Sequence, residues 1–155
     1  MKSQAIVSVI MGSKSDESHL EPAFKLLDEF GLPWETQVIS AHRNPERLVE
    51  YVRDVDKRGV KIFIAAAGLS AALPGVVAAH TVKPVIGVPV PGGPLQGVDA
   101  LLSIVQMPGG VPVATVGLGS NGPKNAAVLA LEILALSDES LVGTIERHKE
   151  KLRSG

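Results

Sequence analysis

Cysteine is absent from the 155-residue chain, which excludes disulfides and thiolate metal sites and is compatible with a reducing compartment. Aromatic residues are scarce, with one Trp, one Tyr and three Phe, so the core must be built from Val, Ile, Leu and Ala. Neither sign of charge is in excess: 15 Lys and Arg face 16 Asp and Glu, for a formal net charge of −1. A basic field that could hold a nucleic-acid backbone or an anionic membrane is thereby excluded, and a small polar ligand fits better. Long hydrophobic runs are missing too. The opening MKSQAIVSVIMGS has one Lys and a short apolar run broken by Ser8 and ended by Gly12, too short and too interrupted for a leader or a membrane span, so a cytoplasmic setting is expected.

What is present is an aliphatic, loop-rich chain. Hydrophobic residues make up 45%, which argues against disorder, and the 16 Gly and 11 Pro belong in turns and site loops. The length suits a single domain over 1–155. Residues 5–11 (AIVSVIM) read as a buried strand, and Leu20, Ala23, Leu26, Leu27 and Phe30 then space a helix that Gly31 stops. The alternation repeats. A second strand covers 34–39, and Asn44-Pro45-Glu46 offers an N-cap, a proline at the first helical position and an early acid for a helix reaching Arg58. Strands are predicted over 60–66, 84–89 and 111–116, with a short helix that holds Pro74 in its first turn and helices over 99–105, 124–136 and 138–153. Strands separated by helices, with no Asn-Gly hairpin between adjacent strands, imply a parallel sheet covered on both faces. The expectation is a three-layer α/β/α sandwich of about five strands, flavodoxin-like, with ligands bound beyond the carboxyl ends of the strands.

Four strand ends carry the candidate chemistry. The first, Gly12-Ser13-Lys14-Ser15-Asp16, combines a permissive glycine, two hydroxyls and a helix start, a set that suits phosphate. It matches neither the P-loop nor the Gly-x-Gly-x-x-Gly pattern, and a tight turn in which Ser15 or Asp16 merely caps the helix is the alternative. Asp16, itself an anion, is better placed to accept from ribose hydroxyls than to meet phosphate. The second end, Ser40-Ala41-His42-Arg43-Asn44-Pro45, sets a proton-transfer group beside a phosphate-gripping one; a solvated loop with a surface histidine is the competing reading. The third, residues 67–75, has no ionisable side chain and can wall a tight, mostly apolar pocket that includes Gly68 and Ser70. The fourth, Val90-Pro91-Gly92-Gly93-Pro94-Leu95, can close over a ligand or simply pack. His19, His80 and His148 read as structural or solvated. No His/Asp/Glu set has metal-ligand spacing, so no metal is expected, and Lys124 and Asn125 read more simply as cap residues than as an anion site.

Taken together, Met11-Gly12-Ser13-Lys14-Ser15-Asp16, residues 40–45, Ala71-Ala72-Leu73-Pro74-Gly75 and Ser103 through Pro112 (SIVQMPGGVP) resemble the PurE family of purine biosynthesis, in order and over nearly the whole chain. The resemblance implies a flavodoxin-like octamer with sites at subunit junctions. It also implies conversion of N5-carboxyaminoimidazole ribonucleotide to its 4-carboxy isomer with no metal and no organic cofactor. By the family motif Ser13, Asp16 and Arg43, assisted by Ser15, bind the ribose phosphate, and His42 is the acid/base. Ser40, Gly68 and Ser70 complete the candidate substrate contacts.

One departure matters. Mutases of this family commonly carry His where Ala72 stands, and the related carboxylases that use free carbon dioxide lack that His and have Ser at the place of Ser70. Arg43, Pro45 and residues 106–112 look mutase-like, so the mutase is the leading reading and the direct carboxylase its alternative. A non-catalytic nucleotide-binding module is a further one. A flavodoxin proper would want rings to stack on a flavin, with only Trp34 and Tyr51 beyond the three Phe, and a phosphorelay receiver would need an acceptor Asp where residues 64–68 (IAAAG) stand. The stretch 126–136 (AAVLALEILAL) is apolar nearly all round and should be buried on more than one side, by the sheet plus either a partner subunit or the last helix.

Overall fold

Aliphatic runs and amphipathic segments alternate along the chain and fold accordingly. In the computed structural model, which describes residues 4–155, the strands are β1 (Val7–Met11), β2 (Trp34–Val38), β3 (Ile62–Ala67), β4 (Val85–Pro89) and β5 (Ala114–Thr115). The helices are α1 (Glu17–Glu29), α2 (Pro45–Lys57), α3 (Leu73–His80), α4 (Val98–Val105), α5 (Asn121–Ala135) and α6 (Val142–Ser154). Met1, Lys2 and Ser3, which open the stretch read above for a leader, lie outside the described residues. No helix among them is long and apolar enough to cross a membrane.

The sheet has the order β2-β1-β3-β4-β5 and every pairing is parallel. Its three inner strands, β1, β3 and β4, are buried throughout, which is why they contain no polar alternation. Successive side chains serve opposite layers. Val7, Val9 and Met11 with Ile62, Ile64 and Ala66 pack under α1 and α5, whereas Ile10 with Phe63, Ala65 and Ala67 packs under α2, α3 and α4. Each fully buried Leu, Ile or Val contributes about 1.5–3 kcal/mol, and Phe63 is the single large ring among the fully buried side chains. The aliphatic core and the three-layer flavodoxin-like architecture are those expected from composition and pattern.

Three boundaries differ most from the sequence reading. β5 shrinks from the expected 111–116 to two residues, because Pro112 has no N–H to give and the Val111 N–H turns back onto Pro108 O at 3.3 Å. α5 begins at Asn121 and not 124, taking Gly122 and Pro123 into its first turn, where a missing N–H costs nothing. The single C-terminal helix expected over 138–153 is a 3-10 turn at Glu139–Leu141, capped by Asp138, followed by α6. α6 lies on α5, with Lys149 Nζ 2.9 Å from Glu132 Oε1, so the last helix of the chain itself supplies part of the second cover expected for 126–136. Leu136 nonetheless remains 87% exposed.

The amino-terminal edge of the sheet is closed by a polar network. Ser8, fully buried on β1, shares a 2.9 Å hydrogen bond with Tyr51 Oη of α2, and Tyr51 donates to Glu35 Oε1 at 2.9 Å. Arg58 grips both Glu35 oxygens, at 2.6 and 2.7 Å, and donates through Nε to Asp54 at 2.8 Å. The Arg58 hydrogen bonds hold the Glu35 carboxyl below its ordinary range, against burial and with help from Tyr51. Thr81 adds a bond to Asp56 at 2.8 Å. Trp34, the first residue of β2, stacks on Phe24 with centroids 4.6 Å apart, and its indole N–H binds Asp28 at 2.8 Å. Both rings weighed above for flavin stacking thus serve the scaffold.

Candidate active site

The chain leaves β1 and β3, neighbours at the centre of the sheet, toward opposite layers: α1 joins α5 on one face, while α3 joins α2 on the other. This is the switch point of a doubly wound sheet, the place where such folds form their ligand crevice, beyond the carboxyl ends of the strands. The Gly12–Asp16 turn follows β1 there. Gly12 N–H donates to Ala66 O at 3.1 Å, tying the turn to the end of β3. Ser13 caps the 3-10 turn Lys14–Asp16 that leads into α1: its Oγ accepts from the Ser15 N–H at 3.3 Å, and the Asp16 carboxylate closes a capping box by accepting from the Ser13 N–H at 3.1 Å, while Asp16 holds the N-cap position of α1 itself without a side-chain bond to that helix. The Ser13 and Ser15 hydroxyls share a 2.9 Å hydrogen bond and both residues are exposed, so one hydroxyl proton of the pair is left to face outward from the turn. Asp16 is only 8% exposed, and burial raises its pKa, a push that the Ser13 N–H and His19 partly oppose.

On the far side of β1 the 40s loop follows β2. Ile39 N–H donates to Met11 O at 2.9 Å, which extends the β1–β2 pairing past the strand and sets the loop beside the Gly12–Asp16 turn. Ser40 builds the loop: its Oγ accepts from the Arg43 N–H at 3.2 Å and its carbonyl from the Asn44 N–H at 2.9 Å. His42 and Arg43 stand exposed on this turn, with Pro45 opening α2 behind them. Asn44 occupies the N-cap position, but its side chain makes no capping bond. An imidazole, a guanidinium and two hydroxyls therefore share one rim of the crevice.

The loops after β3 and β4 form the opposite rim. Val90 N–H donates to Ala67 O at 2.9 Å, and a Cβ on Gly68 would come within 3.3 Å of Val90 O, so glycine is what lets these strand ends run so close. Gly68 O accepts from the Ala71 N–H at 3.1 Å, leaving Leu69 and Ser70 at the exposed tip of the turn. Leu69 has φ +51°, a left-handed conformation that a leucine enters only under constraint. The sequence gives no hint of this residue, because leucine carries no turn signal. All eight candidate residues thus follow the first three strands at a single edge, with His42, Arg43 and Ser40 on one side of the Gly12–Asp16 turn and Gly68 and Ser70 on the other.

Of the remaining histidines, His148 and His80 lie elsewhere and His19 borders the turn after β1. His148 packs edge-on to Phe30 at 5.3 Å between centroids, beside a groove of about 720 Å³ between α1, α5 and α6 that Lys124 and Asn125 also line. His80 ends α3. His19 sits one turn along α1 from Asp16; its Nε2 is buried without a hydrogen-bond partner among the described residues, and burial lowers its pKa while Asp16 raises it.

This geometry has relatives. A family model described as AIR carboxylase matches residues 6–154. The chain belongs to the AIR carboxylase family. It is 50% identical over 148 residues, 96% of its own length and 92% of the relative's, to a Saccharolobus solfataricus protein named N5-carboxyaminoimidazole ribonucleotide mutase. It is 51% identical over 148 residues, 96% of its length but 26% of the relative's, to phosphoribosylaminoimidazole carboxylase of Schizosaccharomyces pombe. Among solved structures, Treponema denticola PurE superposes with a TM-score of 0.87 at 32% identity, covering 96% of this chain and 91% of that one. Within this AIR carboxylase family the PurE resemblance read from the motifs therefore holds across the whole fold.

Proposed function

We propose that this chain is an N5-carboxyaminoimidazole ribonucleotide mutase that moves a carboxylate from the exocyclic nitrogen to C4 of the imidazole ring, with His42 as its single acid/base. The observation that supports it most directly is the pairing of His42 and Arg43 on one rim of the β1/β3 crevice, beside the hydrogen-bonded hydroxyls of the exposed Ser13 and Ser15. Arg43 and the two hydroxyls bind phosphate, and the Asp16 carboxylate accepts from ribose. Ser40 shapes the 40s loop while Gly68 and Ser70 bound the ring side. Binding energy collected at the remote phosphate then fixes the reacting ring.

The chemistry needs two proton transfers. The N–C bond of the carbamate breaks, its electron pair returns to nitrogen, and carbon dioxide separates; the nitrogen gains a proton from the His42 imidazolium. C4 then attacks the carbon dioxide, and the neutral imidazole removes the C4 proton to restore aromaticity. Protons balance, and the catalyst returns to its first state. An imidazole can both give and take a proton, typically contributing 10²–10⁴-fold in rate. Retaining the gas requires a small dry pocket, and the apolar segment 67–75 is suited to wall it.

The enzyme works as a cytoplasmic homo-octamer of single-domain chains, residues 1–155, with sites at subunit junctions. Val98, Leu102 and Val105 support assembly: they form an exposed apolar stripe along one face of α4 of a kind that a second copy would cover. One other reading has a specific observation behind it. Ala72, where mutases commonly carry His, together with the similarity to the Schizosaccharomyces carboxylase, favours direct carboxylation by free carbon dioxide. Supplying purified protein with either the N-carboxylated ribonucleotide or aminoimidazole ribonucleotide plus bicarbonate separates the two. The expected result is 4-carboxylated product from the former; product only from the latter, at elevated bicarbonate, overturns the mutase.

A further inference from the structure

Leu69 breaks two rules at once. It is a large apolar side chain 56% exposed, and its backbone sits at φ +51°, where the chirality of an L-residue is unfavourable. Neither feature helps the isolated chain, since strain and wet hydrocarbon both cost free energy. The surroundings nevertheless accommodate the side chain. A Cβ on Gly93 would lie 2.6 Å from Leu69 Cδ2, so the loop after β4 leaves out a side chain at the point where Leu69 rests on it, and Gly93 is itself at φ +64°. Gln96 and Gly97, at φ +52° and +92°, continue the left-handed conformations in that loop. A tip residue left to solvent would have no need of such a seat.

Position says what the side chain can meet. His42 follows β2, Leu69 follows β3, and β1 runs between them. Adjacent strands are about 4.8 Å apart, so β2 and β3 lie roughly 10 Å apart across β1, and the loops that carry His42 and Leu69 leave the sheet on opposite sides of the Gly12–Asp16 turn, a strand separation that suits one planar ring between them. We infer that Leu69 is the apolar cap of the reacting ring, held against the 91–97 loop so that it covers the migrating carboxyl group on the side opposite His42. The inference rests on the mutase reading and deepens it. An alkyl wall penalises the charged carbamate more than neutral carbon dioxide, which promotes cleavage of the N–C bond. Once the gas has formed, the same wall blocks its exit to water and leaves C4 as the nearest nucleophile. Substrate in turn covers the exposed Leu69 surface.

The test is a partition measurement. The N-carboxylated ribonucleotide, labelled in its carboxyl carbon, is turned over by the parent enzyme and by Leu69→Gly, Leu69→Ala and Leu69→Met. Label at C4 is compared with label released to bicarbonate above the enzyme-free rate. Gly and Ala are expected to raise the ratio of released to transferred label roughly tenfold, the usual worth of a missing apolar contact in a fitted pocket, and Met to restore it. Glycine suits the backbone here, so Leu69→Gly is expected to fold at least as stably as the parent. An unchanged ratio in Gly and Ala, with a parent that transfers label, overturns the cap and leaves the mutase standing. A shift in oligomeric state that tracks the lost transfer assigns Leu69 to a contact between copies and also overturns it. A parent that never moves label to C4 removes both.

Discussion

The two edges of the sheet treat polar side chains in opposite ways. At the amino-terminal edge Ser8, Tyr51, Glu35 and Arg58 satisfy one another within 2.6–2.9 Å. At the carboxyl-terminal edge His42, Arg43, Ser13, Ser15 and Ser70 are exposed, and one loop holds a leucine in a left-handed conformation. One edge has its hydrogen bonds already spent on the fold; the other, apart from the bond between the Ser13 and Ser15 hydroxyls, keeps donors and a base free for something that is not protein. Stability and activity should therefore separate along the strands.

The largest effect that tests this separation is on turnover. His42→Asn is expected to lower kcat by about 10²–10⁴-fold while leaving the melting temperature unchanged, because the ring is exposed and serves no core contact. Steady-state kinetics beside a thermal melt check both halves, and brisk turnover by the variant ends the single-imidazole mechanism. Arg43→Leu comes next, with ribonucleotide affinity falling by about 10–100-fold, the worth of hydrogen bonds to a charged group, and little change in kcat for bound substrate. Titration calorimetry with the 4-carboxylated product measures it, and unaltered affinity removes the phosphate role.

Tyr51→Phe addresses the opposite edge. It strips Ser8 of its partner at a fully buried position and should cost about 1–3 kcal/mol of unfolding free energy, read by urea titration, with kcat and KM intact. A loss of kcat without loss of stability would reverse the comparison. The neighbouring Glu35 adds a pH signature: its depressed pKa gives stability that is full above the ordinary carboxylate range, near 4.5, and is lost as pH falls through the lower folded value. The smallest effect is at Asp16, whose raised pKa works the other way. Its contribution to stability is full below the ordinary value of 3.8 and is lost as pH rises through the raised one, so Asp16→Asn should be a few tenths of a kcal/mol more stable at neutral pH, yet bind ribonucleotide less well. A variant less stable than the parent at neutral pH contradicts the sign.

Much of this was legible along the chain, and the failures have physical causes. α2 announced itself because Asn44-Pro45-Glu46 acts locally, although the Asn44 side chain turned out to make no cap bond. The inner strands were clear because a sheet covered on both faces needs unbroken aliphatic runs. β5 is shorter than its pattern suggests because Val111 and Val113 are strand formers, while Pro112 removes a ladder donor. At the site, the 40s loop and the Gly12–Asp16 turn could be found from residue type. The division of work inside that turn, with Ser13 capping the 3-10 turn and Asp16 at the N-cap of α1, could not, since Ser13, Ser15 and Asp16 are all residue types that cap a helix. Leu69 and the Ser8–Tyr51–Glu35–Arg58 network were invisible for a shared reason: each depends on partners 16 to 43 residues away or on a backbone angle that no side chain encodes.

The crevice draws on loops after β1, β2, β3 and β4, and no two adjacent segments of sequence suffice to make it. Its occupant is therefore a staple across β1 to β4, with no affinity for partly unfolded forms in which any one of those four strands has come away. Saturating nucleotide should shield the whole backbone from proteolytic nicking and hydrogen exchange, not the loops alone, adding about 2.7 kcal/mol at a ligand concentration one hundred times Kd.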